Sequence, residues 1–129
     1  MSSFTLLVTS APYSNQSAYT AYRFVLAAVK SKHQIRGIFF YQDGALNGSA
    51  LQIIPTDEFN LHNEWKKISA EHNIPLLVCV SAATKRGITN AKDAEDCDQS
   101  HHSLSAEFKS VGLGDLAILI ADSDRLVQF

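Results

Sequence analysis

The residues best suited to chemistry are the two cysteines, Cys79 and Cys97, and they sit in different settings. Cys79 lies at the end of the apolar run Pro75-Leu76-Leu77-Val78-Cys79-Val80 and is followed at once by Ser81-Ala82-Ala83-Thr84-Lys85-Arg86-Gly87. If a helical turn starts at Ser81, its free N–H groups point back towards the sulfur. A helix N-terminus and nearby cations favour thiolate over thiol. Lys85 and Arg86 could supply that positive charge, and Arg86 could also hold a partner's carboxylate. The thiolate is the nucleophile of thiol–disulfide exchange, and an anionic persulfide, R–S–S⁻, would be held by the same surroundings. The plain alternative is that Cys79 is a small core hydrophobe, as free cysteines often are. Spacing alone does not choose between the two.

The other constellations are weaker. Cys97-Asp98 with His101-His102 has metal-ligand residue types at short spacing, but nothing completes the four ligands of a zinc pattern, and a solvated polar loop is the better reading. His33, His62 and His72 lie in or beside helical stretches without evident partners and read as surface or boundary residues. A serine nucleophile would need a Gly-x-Ser-x-Gly elbow, which is missing. Val111-Gly112-Leu113-Gly114 lacks the full phosphate-cradling pattern, which argues against a flavin or nucleotide binder. Asp93, Glu95, Asp96 and Asp98 read as a solvated face.

The bulk composition excludes several classes. The 129 residues are 46% hydrophobic and 19% charged, as in a globular domain, and the length suits one domain over residues 1–129. A formal net charge of −2, with no basic cluster, argues against direct nucleic-acid binding. No apolar stretch is long enough to span a bilayer, so no membrane partner is expected, and Met1-Ser2-Ser3-Phe4 lacks a basic leader. The expected compartment is the cytoplasm, where structural disulfides are rare and both cysteines should be free thiols.

The elements that must position Cys79 alternate along the chain. Phe4–Thr9 reads as a buried strand ended by a turn. Gln16–Lys32 carries Ala18, Ala21, Tyr22, Val25, Ala28 and Val29 at helical spacing, with Asn15 as cap. Ile35–Tyr41 is a second strand, closed by Gln42-Asp43-Gly44, and a loop follows from Ala45 to Thr56. Asp57 opens a second helix that ends at Asn73 and Pro75, and the Cys79 strand comes next. Lys92–His102 reads as weak helix or loop, and Leu104–Val111 as a short helix. Leu116–Ala121 is ambiguous, strand-like by composition, and Asp124–Phe129 is a final strand. This pattern predicts a three-layer α/β/α fold with a mainly parallel sheet of about five strands. Sites in such sheets form outside the carboxyl ends of the strands. Three loops lie there: Ser10–Asn15, Gln42–Gly48 and Cys79–Gly87. Tyr13, Asp43 and Gly44 are expected to wall the site.

Several stretches, taken in order, resemble one family. They are Ala11-Pro12-Tyr13 with Gln16, Phe39-Phe40-Tyr41-Gln42-Asp43-Gly44, Asp57-Glu58-Phe59-Asn60-Leu61, Cys79-Val80-Ser81-Ala82-Ala83 with Arg86-Gly87, Gly112-Leu113-Gly114, and Asp124-Arg125-Leu126-Val127-Gln128-Phe129. Together they resemble the DsrE/TusD sulfurtransferase subunits over nearly the whole chain. The resemblance implies that Cys79 carries sulfur as a persulfide, with Tyr13, Gln16, Asp43, Gly44, Ser81 and Arg86 as supporting residues, and that no metal or organic cofactor is needed. It implies a TusA-like sulfur donor, a TusE/DsrC-like acceptor, and TusB-like and TusC-like sister subunits in a dimer of heterotrimers. The relay would serve 2-thiolation of the tRNA wobble uridine. The alternatives are a DsrE-like role in sulfur oxidation and a non-catalytic scaffold with Cys79 merely buried. The family also implies a helix, rather than a strand, over Leu116–Ala121, and that expectation is adopted here.

Overall fold

The apolar, β-branched and aromatic runs of the sequence pair as strands in a computed structural model describing residues 1–129. The strands are β1 (Ser3–Val8), β2 (Gln34–Phe40), β3 (Leu76–Cys79), β4 (Phe108–Val111) and β5 (Arg125–Gln128). All pair in parallel, in the order β4-β3-β2-β1-β5. Strand β3 is buried throughout, as are Gly37–Phe40 of β2 and most of β1, which is why these stretches read as continuous apolar runs rather than alternating ones.

The helices are α1 (Ser17–Lys30), α2 (Leu61–His72), α3 (Val80–Thr84), α4 (Ala91–Asp96) and α5 (Leu113–Ala121). From β1 to β4 the chain steps across the sheet in one direction, and then α5 returns it to β5. With right-handed crossovers, the return must lie on the opposite face from the outward helices. The packing agrees. Gly37 of β2 faces Leu119 of α5, whereas Phe40, an odd number of residues on, meets Trp65 of α2 with ring centroids 5.3 Å apart. The three-layer α/β/α architecture expected from the sequence is borne out. No helix is long and apolar enough to cross a membrane.

Local chemistry sets the boundaries. The α1 stripe Ala18, Ala21, Tyr22, Val25 and Ala28 is buried, and Asn15 accepts the Ser17 N–H at 2.8 Å just ahead of the helix. Helix α2 starts at Leu61 rather than at the expected Asp57, because the cap is Asn60, whose side chain accepts the Asn63 N–H at 3.1 Å. Asn73, at φ 53°, ends it in a left-handed cap. The two helices meet in an aromatic cluster of Tyr19, Tyr22, Phe59 and Trp65. There the Tyr22 hydroxyl donates to Glu64 at 2.9 Å, and burial together with that carboxylate pushes its pKa up to about 12.

Two further expectations needed correction. Leu104–Val111 is not a helix: Leu104 makes an isolated bridge with Ser49, and Phe108–Val111 is strand β4 paired with β3. The helix-like spacing of Leu104 and Phe108 arises because both enter the same core, Phe108 packing on Phe40 at 5.3 Å and flat on the His62 ring at 5.6 Å. Nor is His62 a surface or boundary residue, for it is 6% exposed. Its Nδ1 lies 2.8 Å from the Asn47 carbonyl and its Nε2 lies 2.7 Å from the Ser105 hydroxyl. Because a carbonyl only accepts, Nδ1 carries the proton and Nε2 accepts from Ser105, the neutral tautomer. The adopted helix over Leu116–Ala121 is borne out as part of α5.

Burial is the main influence that holds the His62 pKa below its ordinary value of 6.5, with Lys66 adding to it while Glu107 and the Asn47 bond oppose it. The unfolded chain therefore takes up this proton first as pH falls. Folding stability should decline from about pH 6.5 downwards, until the folded-state pKa is also passed. Thermal unfolding across that range should show a shallower decline for His62→Gln than for the native chain. Equal slopes would show that His62 does not carry the decline.

Candidate functional site

Parallel pairing brings the carboxyl ends of β1, β2 and β3 to one edge, and with them the three loops singled out in the sequence. Cys79 closes β3 and stands in the N-cap position of α3, in extended conformation at φ −63° and ψ 118°. It is 2% exposed, paired in register with Val111 of β4, and its Sγ lies 3.4 Å from the Ser81 hydroxyl. Neither cysteine is in a disulfide; Cys97 is exposed.

The loop after β2 is a 3₁₀ turn, Gln42–Gly48, which packs on β3 and α3. Gly44 is buried at its start, where an added Cβ would lie 2.0 Å from the Val8 carbonyl oxygen of β1. Only glycine lets the two backbones approach this closely. Beside it, Asp43 accepts from Arg86 Nε at 3.0 Å, and Arg86 Nη1 donates to the Ala82 carbonyl at 3.0 Å. Arg86 thus joins the β2 turn to the helical turn directly after Cys79. Gly87 then turns the chain away at φ 73°, a left-handed conformation that favours glycine.

Tyr13 and Gln16 belong to a neighbouring part of the same edge. Tyr13 is left-handed at φ 71°; its hydroxyl donates to the Phe59 carbonyl at 3.0 Å and accepts the Leu61 N–H at 3.1 Å. With Asn15, Gln16, Tyr19, Phe59 and Leu61 it lines a cavity of about 410 Å³. Cys79 is not among the lining residues. Cys79 and Ser81 are thus in contact, Asp43 and Arg86 are joined where the β2 turn packs on α3, and Tyr13 with Gln16 lines the separate cavity. Lys85 is exposed and makes no ion pair. Around Cys97, His101 and His102 no three side chains gather in a way that could hold a metal.

Sequence reasoning missed Asn47, a buried polar residue in the β2 turn. Its Nδ2 donates to the Ser10 carbonyl at 3.1 Å and the Gly44 carbonyl at 2.9 Å, and its Oδ1 accepts from Trp65 Nε1 at 3.1 Å. The available signal was faint: an Asn between Leu46 and Gly48, with the ring donors His62 and Trp65 on one helix face.

Gly44→Ala is expected to destabilise the chain by at least about 1–3 kcal/mol in urea unfolding, since the colliding atom is backbone. Gly114→Ala, in open space within α5, is expected to be neutral or stabilising by up to about 1 kcal/mol. Similar effects from the two substitutions would remove the close-approach explanation.

Comparisons with known proteins bear on the whole chain. The model of the DsrE/DsrF-like family matches residues 2–129. The Sulfurtransferase TusD homolog of Vibrio cholerae is 40% identical over 126 residues, covering 98% of this chain and 96% of that protein. Sulfurtransferase TusD of Yersinia pestis is 41% identical with the same coverage. The crystal structure of the ychN protein from E. coli superposes with a TM-score of 0.77 at 20% identity, covering both chains fully, which shows a shared fold. The family expected from the sequence is thus borne out, and this chain belongs to the DsrE/DsrF-like family, similar along nearly its full length to TusD sulfurtransferases.

Proposed function

We propose that this chain is a sulfur-relay subunit, a single DsrE/TusD-like domain that carries sulfur as a persulfide on Cys79. The observation that carries the reading is the position of Cys79, the only cysteine at the carboxyl edge of the sheet, in a chain 40% identical to a TusD sulfurtransferase homolog.

The reaction is thiol–persulfide exchange. The Cys79 thiolate attacks the terminal sulfur of a donor persulfide, the donor S–S bond breaks, and the donor leaves as a thiolate. An acceptor thiolate then attacks the outer sulfur on Cys79, and Cys79 leaves as a thiolate in its turn. No net oxidation occurs, and no cofactor enters either step. The Ser81 hydroxyl, 3.4 Å from Sγ, is the group placed to donate to the anionic sulfur. A TusA-like protein is the donor and a TusE/DsrC-like protein the acceptor, supplying the enzyme that thiolates the tRNA wobble uridine. Asp43, Gly44 and Arg86 wall the sulfur, while Tyr13 and Gln16 shape the adjoining rim.

Helix α5 supports an assembled state. Its sequence is Leu-Gly-Asp-Leu-Ala-Ile-Leu-Ile-Ala, yet none of its residues is buried, and Ile118 is 62% exposed. Leu126, on the edge strand β5, adds to the same uncovered apolar surface. TusB-like and TusC-like sister subunits, in a dimer of heterotrimers, are the partners that would cover it. Co-purification after co-expression tests this: Ile118→Asp should weaken the assembly while leaving the melting temperature of the isolated chain nearly unchanged. Undiminished assembly would move the interface elsewhere.

Near-complete burial of Cys79 favours a second reading, a scaffold subunit with an inert thiol. Intact mass separates the two. After incubation with a persulfide-loaded TusA-like donor, the native chain in its co-expressed complex should gain one reductant-sensitive sulfur atom, and Cys79→Ser should gain none. The absence of any gain on the native complex would favour the scaffold.

A further inference from the structure

An incoming sulfur must touch Sγ for exchange to occur, yet Cys79 is 2% exposed. Part of its wall must therefore move. The Gln42–Gly48 turn is a poor candidate, because Gly44 is wedged against the Val8 carbonyl and the Asn47 side chain is bonded within the turn and to two other segments, at Ser10 and Trp65. The β4 side is held by its ladder to β3. The Val80–Gly87 segment remains. Its five-residue helix rests on two small buried side chains, Ala82 and Ala83, and its far end is anchored at the left-handed Gly87, whose carbonyl accepts from the Ser103 hydroxyl at 2.8 Å, so that the stretch before Gly87 is the part free to lift.

One side-chain bond joins this segment to the fixed turn, and it is the Arg86–Asp43 ion pair at 3.0 Å. Arg86 makes it through Nε while also holding the Ala82 carbonyl through Nη1, two directed bonds from different nitrogens of one planar guanidinium. We propose that the Asp43–Arg86 pair is a tether that holds Val80–Gly87 closed over Cys79, so that both are positioning residues governing access to the sulfur. Its functional weight rests on the carrier reading above. The Asp43 side chain is 66% exposed and that of Arg86 31%, so solvent ions reach the pair and weaken it.

The test follows the rate at which a small neutral thiol reagent modifies Cys79, in a Cys97→Ser background that leaves one reactive thiol. Rates are taken across pH, and from about 0.01 M to 1 M salt, over which the screening length falls from about 30 Å to about 3 Å. The plateau at high pH, where the thiol is fully ionised, reports access; the midpoint reports electrostatics. Salt should raise the plateau of the background protein, and Asp43→Asn should raise it at low salt by roughly two- to five-fold, the span an exposed ion pair is worth in an opening equilibrium. Asp43→Asn should then be insensitive to salt, and Asp43→Glu should restore slow modification. Equal plateaus at low salt, or a change confined to the midpoint, would overturn the tether. The salt titration needs no change at Asp43, so it decides even if that variant folds poorly. Sulfur loading by intact mass is read separately. Faster modification without loading retires the carrier reading alone, and loading with unchanged plateaus retires the tether alone.

Discussion

The buried side chain of Asn47 is the constraint on which the carboxyl edge of this sheet depends. A primary amide taken out of water is costly unless its donors and acceptor are paired. Here Nδ2 gives two bonds, to the Ser10 and Gly44 carbonyls, and Oδ1 takes the indole N–H of Trp65. The Asn47 backbone carbonyl is engaged as well, by His62 Nδ1 at 2.8 Å. One residue thus fastens the turn after β2 to the loop after β1 and to the buried face of α2. Trp65 and His62 are themselves locked by Phe40 and Phe108, so the polar pin is seated in the aromatic core. The wedge of Gly44 against Val8 is set at the start of the same turn, where the Tyr41 N–H donates to the Val8 carbonyl at 2.9 Å and the Gly44 N–H to the Tyr41 carbonyl at 2.9 Å.

A fixed turn on one side of Cys79 gives meaning to the looser segment on the other. Parallel strands with crossover connections gather successive carboxyl ends at one edge, which is why residues as far apart as 43 and 86 can share an ion pair. Their contributions differ in kind. The β2 turn is held by buried hydrogen bonds in low dielectric, where breaking one leaves an unpaired polar group and costs heavily. The α3 segment is held along its length by alanine packing and a solvent-reached ion pair, and is anchored at its far end by the Ser103 hydroxyl donating to the Gly87 carbonyl at 2.8 Å. Rigidity on one wall and weak attachment on the other is an arrangement that can shield a sulfur and still release it.

The sequence revealed the central part of this fold and obscured its periphery, for physical reasons. The β1, α1, β2 and β3 runs were legible because burial on both faces writes continuous apolar runs, and burial on one face writes a 3.6-residue stripe. Strand β4 was not, since Phe108-Lys109-Ser110-Val111 is short and its identity as a strand comes from pairing with β3, a long-range fact. Leu116–Ala121 looked like a strand by composition, and only the family resemblance identified it as helical. What decides locally is that the chain must cross the sheet from β4 to β5, with Asp115 accepting the Gly112 N–H at 3.3 Å at the helix start. Cys79 was legible as a strand-end thiol, but its depth was not, because burial depends on elements distant in the chain, the turn after β2 and strand β4, that pack on β3. His62 was misread for a related reason: its partners, Asn47 and Ser105, lie 15 and 43 residues away.

Tyr13 shows how the same edge is divided into two zones. A bulky aromatic residue in the left-handed region costs about 1–3 kcal/mol and persists only where its surroundings over-determine it. Here the ring hydroxyl is committed twice, to the Phe59 carbonyl and the Leu61 N–H, which fixes the chain just ahead of α2. The strain therefore maintains the rim beside the aromatic cavity rather than the sulfur itself. On the proposed carrier reading, a protein that delivers or removes sulfur at Cys79 meets this rim and the pinned β2 turn as preformed surface, and only the proposed barrier over the thiol has to give way. Recognition can then draw on rigid parts, where little ordering entropy is lost, while the cost of opening stays confined to one short segment.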